Sequence, residues 1–540
     1  MRLTSISVRN HSRVADLNVH IRRHAVIVGA NDVGKTSILR LLHLALGTPA
    51  AGLYQSLSPL DLREPEQPML VELTLGGFSD AERTLFPSEI SVAHDDGTES
   101  LLLQLRVELD PSDDESVAIQ RWFPDAGHER APTREQLESF GWRYLRAGRT
   151  NAAGILDGPA SAVRTLLDSA DLGGQKNALV SLLTQFNEEL GGSESIANLL
   201  ERVAKHLSRA MPQEVHSTDF TVRSTADPEK DVLGNVTMFL NRDDHPVPLI
   251  EQSDGVRQLM SMTLFDLAEG AANILAIDEP ELHLHPTSQR TISDLLSGDG
   301  NQKVVVTHSP FVVQRFEPAE IITIDRDGRA HQIPDSHLTA VEKQRANWWS
   351  PRLLEALTSR FTLVVEGVAD RIVVEGVARA AGIDLDRLGA VVLELDGADK
   401  FPNVYQLLGP KGFEVTLLGL VDEQESNRWV GTVGGKPAKV VDQRVFISKV
   451  DLEGEYARAL TGPGAAALLI GAGVCNESAI LMSAGVSTLD DVPWEKVAEY
   501  CRKDKVVAAS AIAAALTQEQ AKAIESVKRM LAKLEYLAEK

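Results

Sequence analysis

Hydrophobic and polar positions along this chain follow three rhythms. Near the start, MRLTSISVRN and VADLNVHI alternate, as do LVELTLGGF (70–78) and LLLQLRVELD (101–110). A period of two predicts antiparallel strands with one face on a core. GWRYLRAGR (141–149) reads as a short strand carrying three arginines. From about 155 to 212, in SAVRTLLDSA, NALVSLLTQFNEEL and SIANLLERVAKHLSRA, apolar residues recur three and four apart, which predicts a helical insertion. The third rhythm is a continuous apolar run with a polar end. AVIVG (25–29), NILAIDEP (273–280), QKVVVTHSP (302–310), RFTLVVEG (360–367), AVVLELDG (390–397) and VTLLGLVDEQE (415–425) all have it. Such runs predict buried parallel strands, so the fold class is α/β. The chain divides into an N-terminal part, 1–345, and a second α/β part, 355–540, that ends in helices.

The polar ends carry the chemistry. AVIVGANDVGKTS (25–37) is a strand, then Gly29-x4-Gly34-Lys35-Thr36, then an apolar helix. This is a P-loop with both flanks in place. Gly29, Asn31 and Gly34 shape a turn whose amides wrap phosphate oxygens. Lys35 reaches the β- and γ-phosphates of ATP, and Thr36, followed by Ser37, holds Mg²⁺. Downstream, the strand before DEPELHLHP ends in Asp278, a second Mg²⁺ ligand, and Glu279, which polarises the attacking water. His308, after the next strand, is placed to contact the γ-phosphate side. His283 and His285 read as a turn rather than a metal site.

Composition narrows the partners. The 540 residues carry 54 basic and 77 acidic side chains, a net charge of −23, which argues against coating nucleic acid by bulk charge. A DNA partner then has to be met locally or through metal ions. No apolar run reaches the ~20 residues of a membrane span. The N-terminus has no signal-peptide pattern. Two cysteines, Cys475 and Cys501, form no metal or disulfide framework. A cytoplasmic protein away from membranes is expected.

In the second part, acids stand at the carboxyl ends of strands, where a parallel sheet gathers them into one crevice. Glu366 and Asp422 are expected neighbours, and Asp370 lies one helical turn after Glu366. Asp451 and Glu453 follow another strand in VFISKVDLEGEY (445–456), and Lys503 and Lys505 open a helix in RKDKVVAASAIAAAL (502–516).

The first part resembles the ABC-type ATPase heads of the SMC class. Its motifs are about 240 residues apart, and EQSDGVRQLMSMTLFDL (251–267) sits where those heads carry a signature segment. The resemblance implies that Ser253 and Gly255 close the ATP of a second copy, hence a homodimer or higher oligomer. The helical insertion is then a candidate dimerisation arm. The second part resembles a Toprim domain, marked by Glu366-Gly367 and by Asp422, although Gln424 stands where that pattern has a second Asp. ATPase head followed by Toprim is the layout of the OLD (overcoming lysogenisation defect) family of ATP-dependent nucleases, which includes the Gabija-type antiphage subunit. The resemblance implies Mg²⁺ or Mn²⁺ at Glu366, Asp370, Asp422, Asp451 and Glu453, with Lys505 offsetting transition-state charge. The expected function is ATP-regulated, metal-dependent DNA cleavage in antiviral defence or DNA metabolism. Gln424 favours an alternative, an ATP-dependent scaffold with a silent Toprim domain that recruits an effector. A separately encoded helicase or effector is a candidate partner. An ABC transporter subunit is disfavoured by the second part.

Overall fold

The protein is described from a computed structural model that covers residues 1–93, 95–127, 129–146, 167, 172–207, 216–219, 224, 239–242, 245–267, 273–282, 284–298, 300–337 and 351–539. The chain forms two compact units, residues 1–136 with 304–540, and residues 137–303. They do not follow the division at 345–355, because the P-loop segment and the whole C-terminal half fall in the same unit.

The N-terminal segment makes an antiparallel sheet. β1 (Arg2–Arg9) pairs with β2 (Leu17–His20) and β4 (Met69–Gly76). β4 pairs with β6 (Glu99–Asp110), which also takes β5 (Ile90–Val92) and β7 (Asp113–Trp122). Alternate residues of β4 and β6 are buried, as their period of two requires, while a bulge between Leu3 and Ser5 shifts the alternation in β1. β3 (Ala25–Gly29) is buried throughout and leads through the P-loop into α1 (Lys35–Gly47). Arg121 of β7 caps the far end of α1, donating from Nη1 to the carbonyls of Leu44 (3.1 Å), Ala45 (3.1 Å) and Thr48 (2.7 Å). A cation there opposes the negative end of the helix dipole.

In the other unit, β8 (Trp142–Leu145) lies parallel to β11 (Ile274–Asp278). α2 (Gln175–Gly192) and α3 (Glu194–Leu207) occupy part of the predicted insertion, whose remainder lies outside the described residues. β9 (Phe239–Arg242) and β10 (His245–Pro248) form a hairpin, followed by α4 (Asp254–Leu267).

The first unit resumes with β12 (Gln302–Val306) and β13 (Ile321–Ile324), both parallel to β3, and with β14 (Ala330–His331) antiparallel to β13. A second, four-stranded parallel sheet follows, in the order β16 (Ala390–Glu394), β15 (Phe361–Val365), β17 (Thr416–Asp422), β18 (Val445–Ser448). This is the predicted strand–helix–strand alternation. The two sheets of this unit are linked by side chains. His331 of β14 sits 2.9 Å from Asp325, which follows β13, and 3.4 Å from Glu414, just before β17.

Packing explains Gly419, in the middle of VTLLGLVDEQE (415–425). The rings of Phe401 and Trp429 stack 4.0 Å apart at 6°. A Cβ on Gly419 would lie 2.8 Å from the Trp429 ring, so β17 passes beneath this stack only without a side chain there. α5 (Val368–Ala381) packs against β16, α7 (Lys505–Ala515) packs against α5 with a close approach at Gly376 and Ala513, and α6 (Leu452–Ala459) follows β18.

Candidate nucleotide and metal sites

The P-loop is built from positions that tolerate no side chain. A Cβ at Gly29 would sit 2.4 Å from the Ile324 carbonyl oxygen, and one at Gly34, where φ is 89°, would sit 2.4 Å from that of Arg13. Lys35 is buried and its Nζ donates to the loop carbonyls of Gly29 (3.1 Å) and Ala30 (2.5 Å). An ammonium folded over a ring of backbone amides at a helix start fits a polyphosphate. Asn31 and Thr36 are exposed at the loop mouth, and Ser37 is half-buried in the first turn of α1. His308, in the same unit, is exposed after β12.

Within the other unit, Asp278 is buried at the end of β11. Burial raises the phenol pKa of Tyr144 on neighbouring β8, and the Asp278 charge raises it further. Glu279 has φ 50°, a left-handed conformation uncommon for a side chain of this kind. Gln258 of α4 holds that turn, its Nε2 donating to the carbonyls of Glu279 and Pro280 at 3.3 Å each. The helix begins just after Ser253, whose carbonyl accepts from Arg257 N at 2.9 Å, and Gly255 lies in its first turn. The segment expected to carry a signature therefore touches the carboxylate turn of its own chain. His283 lies outside the described residues.

The acids of the second part stand around the carboxyl ends of β15, β17 and β18. Glu366 accepts from Asp422 N at 2.9 Å, across 56 residues of sequence. Asp370 Oδ2 accepts from Gly367 N at 2.9 Å, and Asp422 Oδ1 from Leu452 N at 3.1 Å. Asp451 caps α6 through Gly454 N at 2.7 Å. It is also gripped by Arg502, whose Nε and Nη2 lie 2.6 and 2.9 Å from its two oxygens. Lys505 Nζ lies 3.1 Å from buried Glu453, whereas Lys503 stands over the Tyr500 ring.

Five carboxylates here face two cations, Arg502 and Lys505, an excess of three negative charges when all are ionised. Burial and this excess together shift the group's pKa values. Burial and then the charges of Glu366, Asp370 and Glu453 push Asp422 up to about 8. Burial and then Glu453 push Asp370 up to about 7. Burial raises Glu366 as well, with Glu425 and Glu453 adding to it. Burial works against Asp451 too, but the Arg502 hydrogen bonds hold it below the usual carboxylate range. Burial would lower Lys505, yet Glu453 keeps it above its ordinary value. Uncompensated carboxylate oxygens are the donor set that hard divalent cations take. Among the described residues no three such side chains yet converge on one point. Each of the five is tied to an amide, Arg502 or Lys505, and those are the bonds a cation would exchange.

Gln424 is exposed and so is Glu423, which turns to the next loop and accepts from Val450 N at 3.1 Å. Glu425 is half-buried and its charge reaches Glu366. Sequence reasoning missed Arg502. Its signal was a third cation in RKDK, beside the two lysines.

Fold and sites together define a P-loop ATPase joined to a Toprim domain. Residues 25–314 match the family described as "AAA domain, putative AbiEii toxin, Type IV TA system", and the chain belongs to that family. Residues 357–423 match "Overcoming lysogenization defect protein-like, TOPRIM domain", which makes this an ATPase–Toprim protein of the OLD type. It is similar to "Endonuclease GajA" of Bacillus cereus (strain VD045), 21% identical over 439 residues, 74% of this chain and 71% of the relative. It is also similar to "OLD nuclease" of Thermus scotoductus (strain ATCC 700910 / SA-01), 22% identical over 425 residues, 73% and 77% of the two chains. The solved C-terminal region of the Burkholderia pseudomallei OLD protein aligns at 21% identity over 33% of this chain and 98% of that one, with a TM-score of 0.28. Among the described residues no helix is long and apolar enough to cross a membrane.

Proposed function

We propose that this protein is an ATP-regulated, divalent-metal-dependent DNA endonuclease of the OLD type, working in antiphage defence or DNA metabolism. The observation that carries the reading is the crowding of Glu366, Asp370 and Asp422 opposite the Glu453–Lys505 pair. A divalent ion such as Mg²⁺ or Mn²⁺, if bound there, would supply Lewis-acid polarisation of a phosphodiester and an activated water. Glu366 and Asp422 would hold such ions from the tips of adjacent strands. Asp370 adds a ligand from the first turn of α5, and Asp451 and Glu453 from the start of α6. Lys505 stands to neutralise charge on the pentavalent phosphorus. Arg502 orients Asp451.

For nucleotide, Lys35 and Thr36 of one unit are assigned to the phosphates and Mg²⁺, and in the other unit Asp278 is assigned to Mg²⁺ and Glu279 to polarising water. Ser253 and Gly255 of one copy close the nucleotide of a second, so the working form is a homodimer or larger. The test is plasmid nicking by wild type, Glu366→Ala and Lys35→Ala in Mg²⁺ or Mn²⁺, with and without ATP. Wild type should nick, Glu366→Ala should fall by on the order of a hundredfold or more, and Lys35→Ala should lose ATP hydrolysis while keeping metal-dependent cutting. A wild type that never cuts, or cutting that survives Glu366→Ala, overturns the assignment.

A further inference from the structure

Exposed apolar side chains gather where the acidic crevice opens. Among the described residues eleven large apolar side chains are exposed, and four of them adjoin residues of the carboxylate site. Val368 comes two places after Glu366, Val450 directly precedes Asp451, and Val506 and Val507 follow Lys505. Four exposed apolar residues beside the residues of one site, on a surface where lone apolar residues are ordinary, point to a contact region.

Val450 is the most informative. It is 60% exposed and has φ 70°, a backbone region that β-branched residues rarely adopt. Glu423 holds it there by accepting from its N–H at 3.1 Å. The fold thus maintains an unfavourable backbone to keep an apolar side chain in water beside the carboxylates. Such strain persists where the surroundings impose it, commonly at working sites.

Val368 and Val506 stand in the first turns of α5 and α7. A Cβ on Gly376 of α5 would sit 2.5 Å from that of Ala513 on α7, so the helices touch there. Val368 is eight residues before Gly376 and Val506 seven before Ala513. At ~1.5 Å per residue both stand about 10–12 Å from that contact, toward the crevice. The starts of both helices share the crevice, since Asp370 and Lys505 each feel the other's charge.

We infer that Val368, Val450 and Val506 form an apolar lip that wedges against the bases at the cut site and helps unstack them, so that the enzyme can cut regular duplex as well as DNA that is already open. This rests on the nuclease reading above. A phosphate brought to Lys505 and the carboxylates places its own sugar and base against this rim. Aliphatic side chains inserted at base steps unstack and kink a duplex. A chain of net charge −23 gains little hold on DNA from bulk charge, and an apolar contact is insensitive to salt.

The experiment compares cleavage of a short synthetic duplex with cleavage of the same duplex carrying a central two-nucleotide bulge, in Mn²⁺, by the full chain. Val450→Asn keeps a residue that accepts the left-handed backbone and removes the apolar surface, while Val450→Leu retains it. Val450→Asn should lower kcat/KM on the intact duplex by about tenfold, with less than about a twofold loss on the bulged one. Val450→Leu should cut both much as wild type does. Equal losses on the two substrates, or no loss on either, overturn the lip while leaving the nuclease reading in place. If wild type cuts neither substrate, the nuclease reading fails and the lip falls with it.

Discussion

Asp422 concentrates the chemistry of the second site into one residue. Burial and three acidic neighbours push its carboxyl up to about 8, far above the ordinary ~3.9. The folded, metal-free protein therefore holds a proton that the unfolded chain gives up. Stability is full below about pH 4 for this group and is lost as pH rises through the folded value near 8. Asp370, raised to about 7, adds to the same slope. Thermal unfolding in EDTA should show wild type losing stability between pH 5 and pH 8 on that account. Asp422→Asn should flatten the slope and raise the midpoint at pH 8, while abolishing the stabilisation that Mn²⁺ gives wild type. Gln424 carries less weight than its place in the sequence suggests. It faces solvent, and the charge of Glu425 reaches Glu366. In a nicking assay Glu425→Gln should cost more activity than Gln424→Ala, and the opposite order would return Gln424 to the centre of the site.

At the scale of elements, the site is held by contacts of backbone against backbone. α5 and α7 bring Asp370 and Lys505 to one crevice because Gly376 lets Ala513 close on it. Gly376→Val should force the helices apart, destabilise the protein by about 1–3 kcal/mol in urea titration, and weaken cleavage through displacement of Lys505. Unchanged stability would mean that the two helices separate freely. The elements that bind phosphate or end in carboxylates were legible from the sequence alone. A P-loop, a DEP turn and Glu-Gly after a strand are local solutions to local demands, so residue order records them. Arg502 on Asp451, Glu423 on Val450 and Gln258 on the Glu279 turn were not legible. They join residues 51, 27 and 21 positions apart and depend on how helices and loops pack, which no local pattern encodes.

For the whole molecule, the acidic balance and the proposed nuclease activity are compatible. Under the proposed nuclease reading, a chain of net charge −23 would meet DNA through bound cations rather than through a basic surface. The layout of ATPase and Toprim parts was readable because each carries its own motif, whereas the grouping of the P-loop segment with the C-terminal half was not. The central claim is that the Glu366–Asp422 crevice is a divalent-metal site. Calorimetric titration of Mn²⁺ into the nucleotide-free protein, with wild type beside a Glu366→Gln/Asp422→Asn variant that still unfolds cooperatively, tests it most directly. Wild type should give a saturable heat at about two ions per chain, and the variant should give none. The same heat in both proteins, or no heat in wild type, would contradict the account.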